Sequence, residues 1–173
     1  MKKIIFLFSI TAIAVACNNM AKEPSRDELS HTIDSIYSSL IASNQYENAD
    51  TTQGNNIVSL FIKFADTYPT DSLTPFYLHR AAQVATGMGN IEEMIEYYNR
   101  VIDNYPDYIK LDECYYEKGI ALDNAGRKDE ARETYQQFLE MYPNHFLADD
   151  IRKALSLLDL SDELLIKFLN SNA

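Results

Sequence analysis

Apolar residues recur along most of this chain at the spacing of one face of an α-helix. One set stands at positions i, i+3, i+4 and i+7, namely Leu78, Ala81, Ala82 and Ala85. The pattern breaks at residues 87–90, and a second apolar stripe begins at Ile91. That stripe ends before Tyr105, because the following proline disfavours a helical residue in front of it. The sequence therefore predicts amphipathic helices in pairs, each pair joined by a short turn.

The helix pair is repeated without a gap, since residues 70–106 align with residues 107–143. Three phrases, FIKFADTYP, YNRVIDNYP and YQQFLEMYP, close on prolines that are 37 residues apart. Two amphipathic helices cannot bury both of their apolar faces alone, so successive pairs must stack on one another. We therefore predict an all-α stack of repeated helix pairs.

The flanks extend this stack to eight helices in four pairs, within a domain that spans residues 26–170. The helices predicted outside the two clear repeats cover residues 26–41, 55–67, 146–158 and 161–170. Between the first two lies a polar segment, residues 43–55, which is longer than the other turns and is predicted to be a loop. The last helix begins at Ser161, a good capping residue.

Two capping boxes are predicted at helix starts. Ser25 precedes the first helix and Glu28 stands three residues later, while Asn90 and Glu93 have the same spacing before the helix at residue 91. In such a box, the side chain of the capping residue accepts a hydrogen bond from the backbone amide of the third helical residue. The acid at that third position accepts a hydrogen bond from the backbone amide of the capping residue.

The N-terminus has the composition of a secretory signal. Lys2 and Lys3 precede an apolar run of 13 residues at 4–16, which is too short for a membrane span of about 20 residues. Ala14-Val15-Ala16 suits an ordinary cleavage site, and with Cys17 it also resembles the lipobox of bacterial lipoproteins. That resemblance implies a lipid on Cys17, although Ala14 stands where the family prefers Leu. We predict a signal peptide at 1–16 and a lipidated tether at 17–25.

The net charge of −11 argues against nucleic acid as a partner, because phosphate binding needs a basic face. Without Lys2 and Lys3 the charge becomes 13 − 26 = −13, which also disfavours adsorption to anionic lipid. The other cysteine, Cys114, lies in an apolar helical pattern and is interpreted as a buried thiol that behaves like a small hydrophobic residue.

No catalytic, cofactor or metal motif stands out. The Gly-Met-Gly at 87–89 follows no strand and lacks the Lys-Ser/Thr of a phosphate-binding loop. His31, His79 and His145 are far apart in sequence and belong to no recognised zinc motif. We therefore expect neither an enzyme nor a cofactor or metal site.

Small residues near the helix crossing, an aromatic residue in the second helix and a closing proline resemble the tetratricopeptide repeat. The matching residues are Ala82, Tyr98 and Pro106 in one unit, and Gly119, Ala131, Tyr135 and Pro143 in the next. Departures are Met94 where the family has Ala, Lys118 where it has Leu, and a period of 37 instead of 34. The resemblance implies a right-handed α-solenoid whose concave face is formed by the first helix of each pair.

The same resemblance implies a partner groove on that concave face. Its positions fall on Phe76, His79, Gln83, Thr86, Glu113, Tyr116, Ile120 and Asp123. Apolar and acidic side chains together would suit a partner segment that carries apolar and basic residues. Phe76 and Ile120 would equally suit packing against neighbouring helices. His79 and Tyr116, which are 37 residues apart, are expected to be neighbours.

The segment at 135–155 resembles two groups of envelope proteins, the periplasmic coordinator of the Tol–Pal system and the lipoprotein subunit of the barrel-assembly machinery. Members of the second group are longer, so the resemblance implies an envelope scaffold and does not identify a complex. Asn18 is not the Asp that retains lipoproteins at the inner membrane, so we expect a lipid anchor in the outer membrane, facing the periplasm. The predicted function is a scaffold for a protein or peptide of the envelope. The alternative is a structural or carrier lipoprotein that binds a small ligand between helices.

Overall fold

The computed structural model describes residues 23–42, residues 51–160 and Leu164. Seven α-helices lie in the first two ranges: α1 (Arg26–Ala42), α2 (Thr51–Thr67), α3 (Thr74–Gly87), α4 (Ile91–Asn104), α5 (Leu111–Asn124), α6 (Lys128–Met141) and α7 (Ala148–Leu158). Within these residues there is no strand, and the predicted all-α class is confirmed. The predicted signal peptide, Cys17, most of the tether and most of the helix at 161–170 lie outside the described residues.

Each helix packs mainly on its neighbours in the chain. The principal contacts join α1 to α2, α2 to α3, and so on through α6 to α7. A stack in which every element touches chiefly the next one is a solenoid, in which the core is built up pair by pair. None of the helices in the described part is both long enough and apolar enough to cross a membrane.

The tight turns inside the two clear repeats depend on glycine. Gly89 and Gly126 have φ angles of 75° and 74°, a left-handed conformation that glycine adopts at no steric cost. After each glycine, the next backbone amide bonds back to the helix that has just ended, from Asn90 to Ala85 at 2.9 Å and from Arg127 to Leu122 at 2.9 Å. This is the Schellman arrangement that closes a helix.

One of the two predicted capping boxes is confirmed and the other is wrong. The amide of Ser25 donates to Glu28 at 2.8 Å, and the amide of Glu28 donates to the Ser25 hydroxyl at 3.4 Å. Asn90 makes no side-chain capping bond; its Nδ2 donates to the Glu93 carboxylate at 3.4 Å. The amide of Asn90 already donates to the carbonyl of Ala85, which closes the preceding turn, so it is not free to donate to the Glu93 carboxylate.

Two predicted boundaries also differ from the structure. Helix α2 begins at Thr51, so residues 51–55, predicted as the end of a loop, are helical. Gly54 is buried there, where a Cβ would meet the side chain of Met88, and this close approach explains a glycine inside a helix. Helix α7 begins at Ala148 and not at residue 146. The preceding residues turn instead, with the amide of His145 bonded to the carbonyl of Tyr142 at 3.1 Å.

Large aromatic rings packed against small residues form the core. Tyr77, Tyr98 and Tyr135 are almost fully buried. A Cβ on Gly119 would lie 2.6 Å from Cδ1 of Tyr135, so the glycine is what lets α5 approach α6 so closely. Cys114 is completely buried, and burial raises the pKa of its thiol. The interpretation of Cys114 as a packing residue is thereby confirmed.

The repeated Tyr-Pro phrases join consecutive units. The hydroxyl of Tyr105 donates to the carbonyl of Pro69 at 2.8 Å, and the hydroxyl of Tyr68 donates to the carbonyl of Pro24 at 3.3 Å. In both cases the tyrosine that ends one pair reaches the segment that precedes the first helix of that same pair. The two bonds hold successive loops in the same register along one edge of the stack.

Candidate functional site

A polar cluster around Glu117 joins three helices on the side of the stack formed by α1, α3 and α5, here called the first-helix face. The Glu117 carboxylate accepts a hydrogen bond from His79 Nε2 at 2.8 Å, from the Tyr98 hydroxyl at 2.8 Å and from Gln83 Nε2 at 3.0 Å. His79 is 3% exposed, and its other ring nitrogen lies 3.2 Å from the Tyr108 hydroxyl. The cluster therefore fixes the orientation of each of its members.

Glu117 is held in this cluster as an anion. Burial alone would raise its pKa, but the hydrogen bonds from His79 and Gln83 outweigh burial and lower the pKa below its ordinary value. Burial also raises the pKa values of Tyr98 and Tyr108, so both hydroxyls remain protonated and able to donate. Because the Glu117 side chain is still 33% exposed, the cluster presents a fixed negative charge at the surface.

An arginine that lies over two aromatic rings extends the polar cluster toward α1. The Arg80 guanidinium lies 5.1 Å from the ring centre of Phe76 and 5.7 Å from that of Tyr37 on α1. These distances are typical of cation–π contacts. Arg80 also donates to Oε1 of Gln83 at 2.7 Å. A continuous chain of contacts thus runs from Tyr37 on α1, through α3, to Glu117 on α5.

Four of the eight predicted groove residues belong to this arrangement. His79 and Gln83 bond Glu117, and Phe76 carries Arg80. Glu113 places a carboxylate oxygen within 4.8 Å of the donor atoms of His79 and Glu117, and it is paired with Lys110 at 2.9 Å. His79 itself lies too deep for direct contact with a partner, since Tyr98, Tyr108 and Glu117 enclose it.

The other four predicted residues lie on the same two helices but outside the cluster. Thr86 bonds the carbonyl of Ala82 in its own helix at 2.9 Å. Tyr116 and Ile120 are partly buried against the core, which leaves part of each side chain accessible. Asp123 lies near Tyr135, whose pKa is raised by burial and further by the charge of Asp123.

Sequence reasoning missed Arg80, Glu117 and Tyr108. Arg80 and Glu117 are 37 residues apart and so occupy equivalent positions in two first helices. Each stands four residues after a predicted groove residue, Phe76 or Glu113, and therefore on the same side of its helix. The sequence signal that could have identified them is the opposite charge of the two residues at equivalent positions of consecutive repeats.

One group of the described residues has the composition of a metal site. One ring nitrogen of His79 and one carboxylate oxygen each from Glu113 and Glu117 lie within 4.8 Å of one another, and an imidazole with two carboxylates suits a zinc ion. The protein already supplies partners for these groups, since His79 and Gln83 donate to Glu117 and Lys110 pairs with Glu113. Hydrogen bonding and ion pairing therefore account for the geometry without an ion.

Comparison with protein families matches residues 74–144 to the family described as tetratricopeptide repeat. This segment begins at the first residue of α3 and contains α3 to α6, the two pairs with the clearest repeat. The fold is an all-α solenoid of helix pairs that resemble tetratricopeptide repeats, and the family match covers 71 of the 173 residues. Proteins with such repeats generally act as non-catalytic scaffolds for protein–protein interaction. No curated protein matches this chain.

Proposed function

We propose that this protein is a lipid-anchored scaffold of the bacterial cell envelope that binds a protein or peptide partner on its first-helix face. The observation that carries the proposal is the continuous chain of contacts from Tyr37 through Arg80 and Gln83 to Glu117. It spans three successive first helices and leaves its members partly exposed. Side chains already held in place lose less entropy when a partner is bound.

The chemistry of this face defines the class of partner. Tyr116 and Phe76 offer partly exposed aromatic surface, while Glu117 and Asp123 offer negative charge. A segment with one apolar anchor flanked by Lys or Arg would satisfy both features. The aromatic contact is expected to supply most of the affinity, because interface hot spots are enriched in tyrosine. The acidic groups are expected to accelerate association with a basic segment.

Cross-linking in intact envelopes tests the partner hypothesis. The wild-type protein should retain a stoichiometric protein partner, and Tyr116→Ala should lose most of it. Ile102→Ala is the matched control, because Ile102 is also a partly buried apolar residue but lines the groove between α4 and α6. Equal retention by the wild type and by Tyr116→Ala would contradict binding on the first-helix face.

The anchor rests on Cys17 and the preceding apolar segment. Cys17→Ser should release the protein into a soluble fraction or leave an unprocessed precursor, and fractionation with an antibody against the chain would measure this. A Cys17→Ser protein that is processed and still sediments with membranes would contradict lipidation. The outer membrane, with the domain facing the periplasm, is the proposed location, and protease access in intact cells would test that orientation.

A cleft between α2 and α4 favours a second candidate function, that of a structural or carrier lipoprotein. Its volume is about 740 Å³, and its walls include Val58, Ile62, Lys63 and Tyr97. This size is in the range of small-molecule sites. Native mass spectrometry of the purified protein would detect a ligand that stays bound. A ligand lost in Ile62→Asp and retained in Tyr116→Ala would favour the carrier function over the scaffold.

A further inference from the structure

The two most exposed large apolar residues among those the structure describes occupy equivalent positions in consecutive repeats. Ile109 is 90% exposed and Phe146 is 82% exposed. Each is the fourth residue after the tyrosine of a Tyr-Pro phrase, and they are 37 residues apart. In the preceding unit the same position is held by Ser72, which is also exposed. A repeated position places these side chains in a row along one edge of the stack.

Contacts between the loops show that the edge is continuous. The Tyr105 hydroxyl bonds the carbonyl of Pro69, so the loop that carries Ile109 is held against the loop that carries Ser72. Between these two loops lies a cleft of about 620 Å³, lined in part by Pro69, Pro106 and Ile109. We call this side of the stack the Tyr-Pro edge, and it consists of residues 68–73, 105–110 and 142–147.

The described chain also begins at the Tyr-Pro edge. The carbonyl of Pro24 accepts a hydrogen bond from Tyr68, and Arg26 is paired with Asp71 at 2.9 Å. Glu23 is only the sixth residue after Cys17. Six residues span at most about 20 Å when fully extended. A lipid on Cys17 would therefore keep the bilayer surface within a short distance of this edge.

We propose that the Tyr-Pro edge lies on the lipid bilayer, with Ile109 and Phe146 inserted among the acyl chains at the interface. The inference rests on the proposed lipid anchor and adds to it an orientation of the domain. With this edge on the membrane, the first helices run away from the surface and the first-helix face stays open to a partner. The lipid fixes the chain at one end of the edge, and the two side chains hold the rest of the edge down.

Charge decides which lipid surface fits. The chain that begins at Cys17 carries 13 basic and 26 acidic residues, a net charge of −13, and Asp71, Asp107 and Asp112 lie on or beside the edge. Anionic lipid would repel such a surface, whereas insertion of apolar side chains needs no opposite charge. The proposed surface is therefore a zwitterionic bilayer, and phosphatidylcholine vesicles are the probe.

The test uses the chain from Cys17 to Ala173, with a single acyl chain attached chemically to Cys17. Cys114 is fully buried and will not compete for the reagent. One acyl chain gives only marginal, reversible binding with an association constant of about 10⁴ M⁻¹, so added contributions from the edge are measurable. Because the acyl group is attached in vitro, the result does not depend on whether cells lipidate Cys17.

Vesicle partitioning is then compared among variants that add or remove an apolar side chain. Ile109→Ser and Phe146→Ser should each lower the partition coefficient about tenfold, since burial of such side chains is favourable by that order. Ser72→Ile should raise it several-fold by extending the row. Ala125→Ile is the control, because Ala125 is exposed in a turn within a pair and not in the edge loops.

Each outcome decides the proposal. Lower partitioning of both serine variants, with a gain for Ser72→Ile and none for Ala125→Ile, supports an edge that lies on lipid. Partitioning within twofold of wild type for both serine variants overturns it and leaves a protein partner as the occupant of the edge. Equal gains for Ser72→Ile and Ala125→Ile also overturn it, because they would show that any exposed apolar residue binds vesicles. Melting temperatures close to wild type confirm that the serine variants are folded.

Discussion

Substitution of Gly119 by alanine should destabilise the protein, although alanine is the better helix former. Gly119 lies inside α5, where replacing glycine by alanine is ordinarily favourable by about 1 kcal/mol. Here the new methyl group would sit 2.6 Å from Cδ1 of the Tyr135 ring. Tyr135 is 2% exposed and enclosed by the core, so the ring cannot swing away. Overpacking of a core typically costs about 1–3 kcal/mol.

The net loss for Gly119→Ala is therefore about 0–2 kcal/mol. Since 1 kcal/mol shifts the melting temperature of a domain of this size by about 2–4 °C, the variant should melt up to about 8 °C below wild type. Gly87→Ala is the matched control, because Gly87 also lies in a helix and a Cβ there would meet nothing within 4 Å. It should melt at or above the wild-type temperature.

A double-mutant cycle with Tyr135→Leu identifies the ring as the cause. In that background the obstructing ring is absent, so Gly119→Ala should become neutral or stabilising. Urea unfolding followed by circular dichroism gives the four free energies, and the coupling should be about 1–3 kcal/mol. The reasoning is refuted if Gly119→Ala stabilises the wild type as much as Gly87→Ala does, or if the loss persists in the Tyr135→Leu background.

Three further predictions follow from the core, the first-helix face and the polar cluster. Tyr98→Ala and Tyr135→Ala should each cost about 3–5 kcal/mol, because each leaves a ring-sized cavity; melting within a degree or two of wild type would contradict the repeat register. Tyr116→Ala should weaken partner binding by more than about 1 kcal/mol with little change in melting temperature, while Asp123→Lys should mainly slow association, as surface plasmon resonance would show. The pKa of Glu117 is lowered in the folded state from an ordinary value of 4.5, so its stabilising contribution is complete above that value and is lost as the pH falls through the lower folded pKa. Glu117→Gln should therefore flatten the fall in melting temperature below about pH 4.5, and an unchanged acid slope would contradict that role.

Much of the fold was predictable because each repeat places the same residue types at the same positions. The glycines of the tight turns, the buried tyrosines of the second helices and the closing prolines recur at one spacing, so their positions fix α3 to α6. The start of α2 was missed, since a polar stretch containing Gly54 has the composition of a loop. Gly54 is helical because Met88, which is distant in sequence, packs on it. The capping box at Asn90 failed because its amide already closes the preceding turn.

The candidate site was less predictable because its members come from different elements. The family resemblance supplied His79 and Gln83, but the burial of His79 depends on Tyr98 from α4 and Tyr108 from a loop. No pattern within α3 reports those neighbours. Glu117 was missed because it lies one residue beyond the position that corresponds to His79, and its role appears only once α3 and α5 are placed side by side.

The Tyr-Pro phrase connects the two surfaces of the molecule. The bond from Tyr105 to Pro69 sets the start of α5 relative to the start of α3. That register brings Glu117 within 3.0 Å of Gln83 and 2.8 Å of His79, because equivalent residues of the two helices then lie nearly side by side. The same loops expose Ile109 and Phe146 on the outer edge. The repeated Tyr-Pro phrase thus positions the polar side chains that are proposed to bind a partner. It also positions the exposed apolar side chains that are proposed to insert into lipid. Since these two surfaces lie on different sides of the stack, the protein can bind a partner and lie on lipid at the same time.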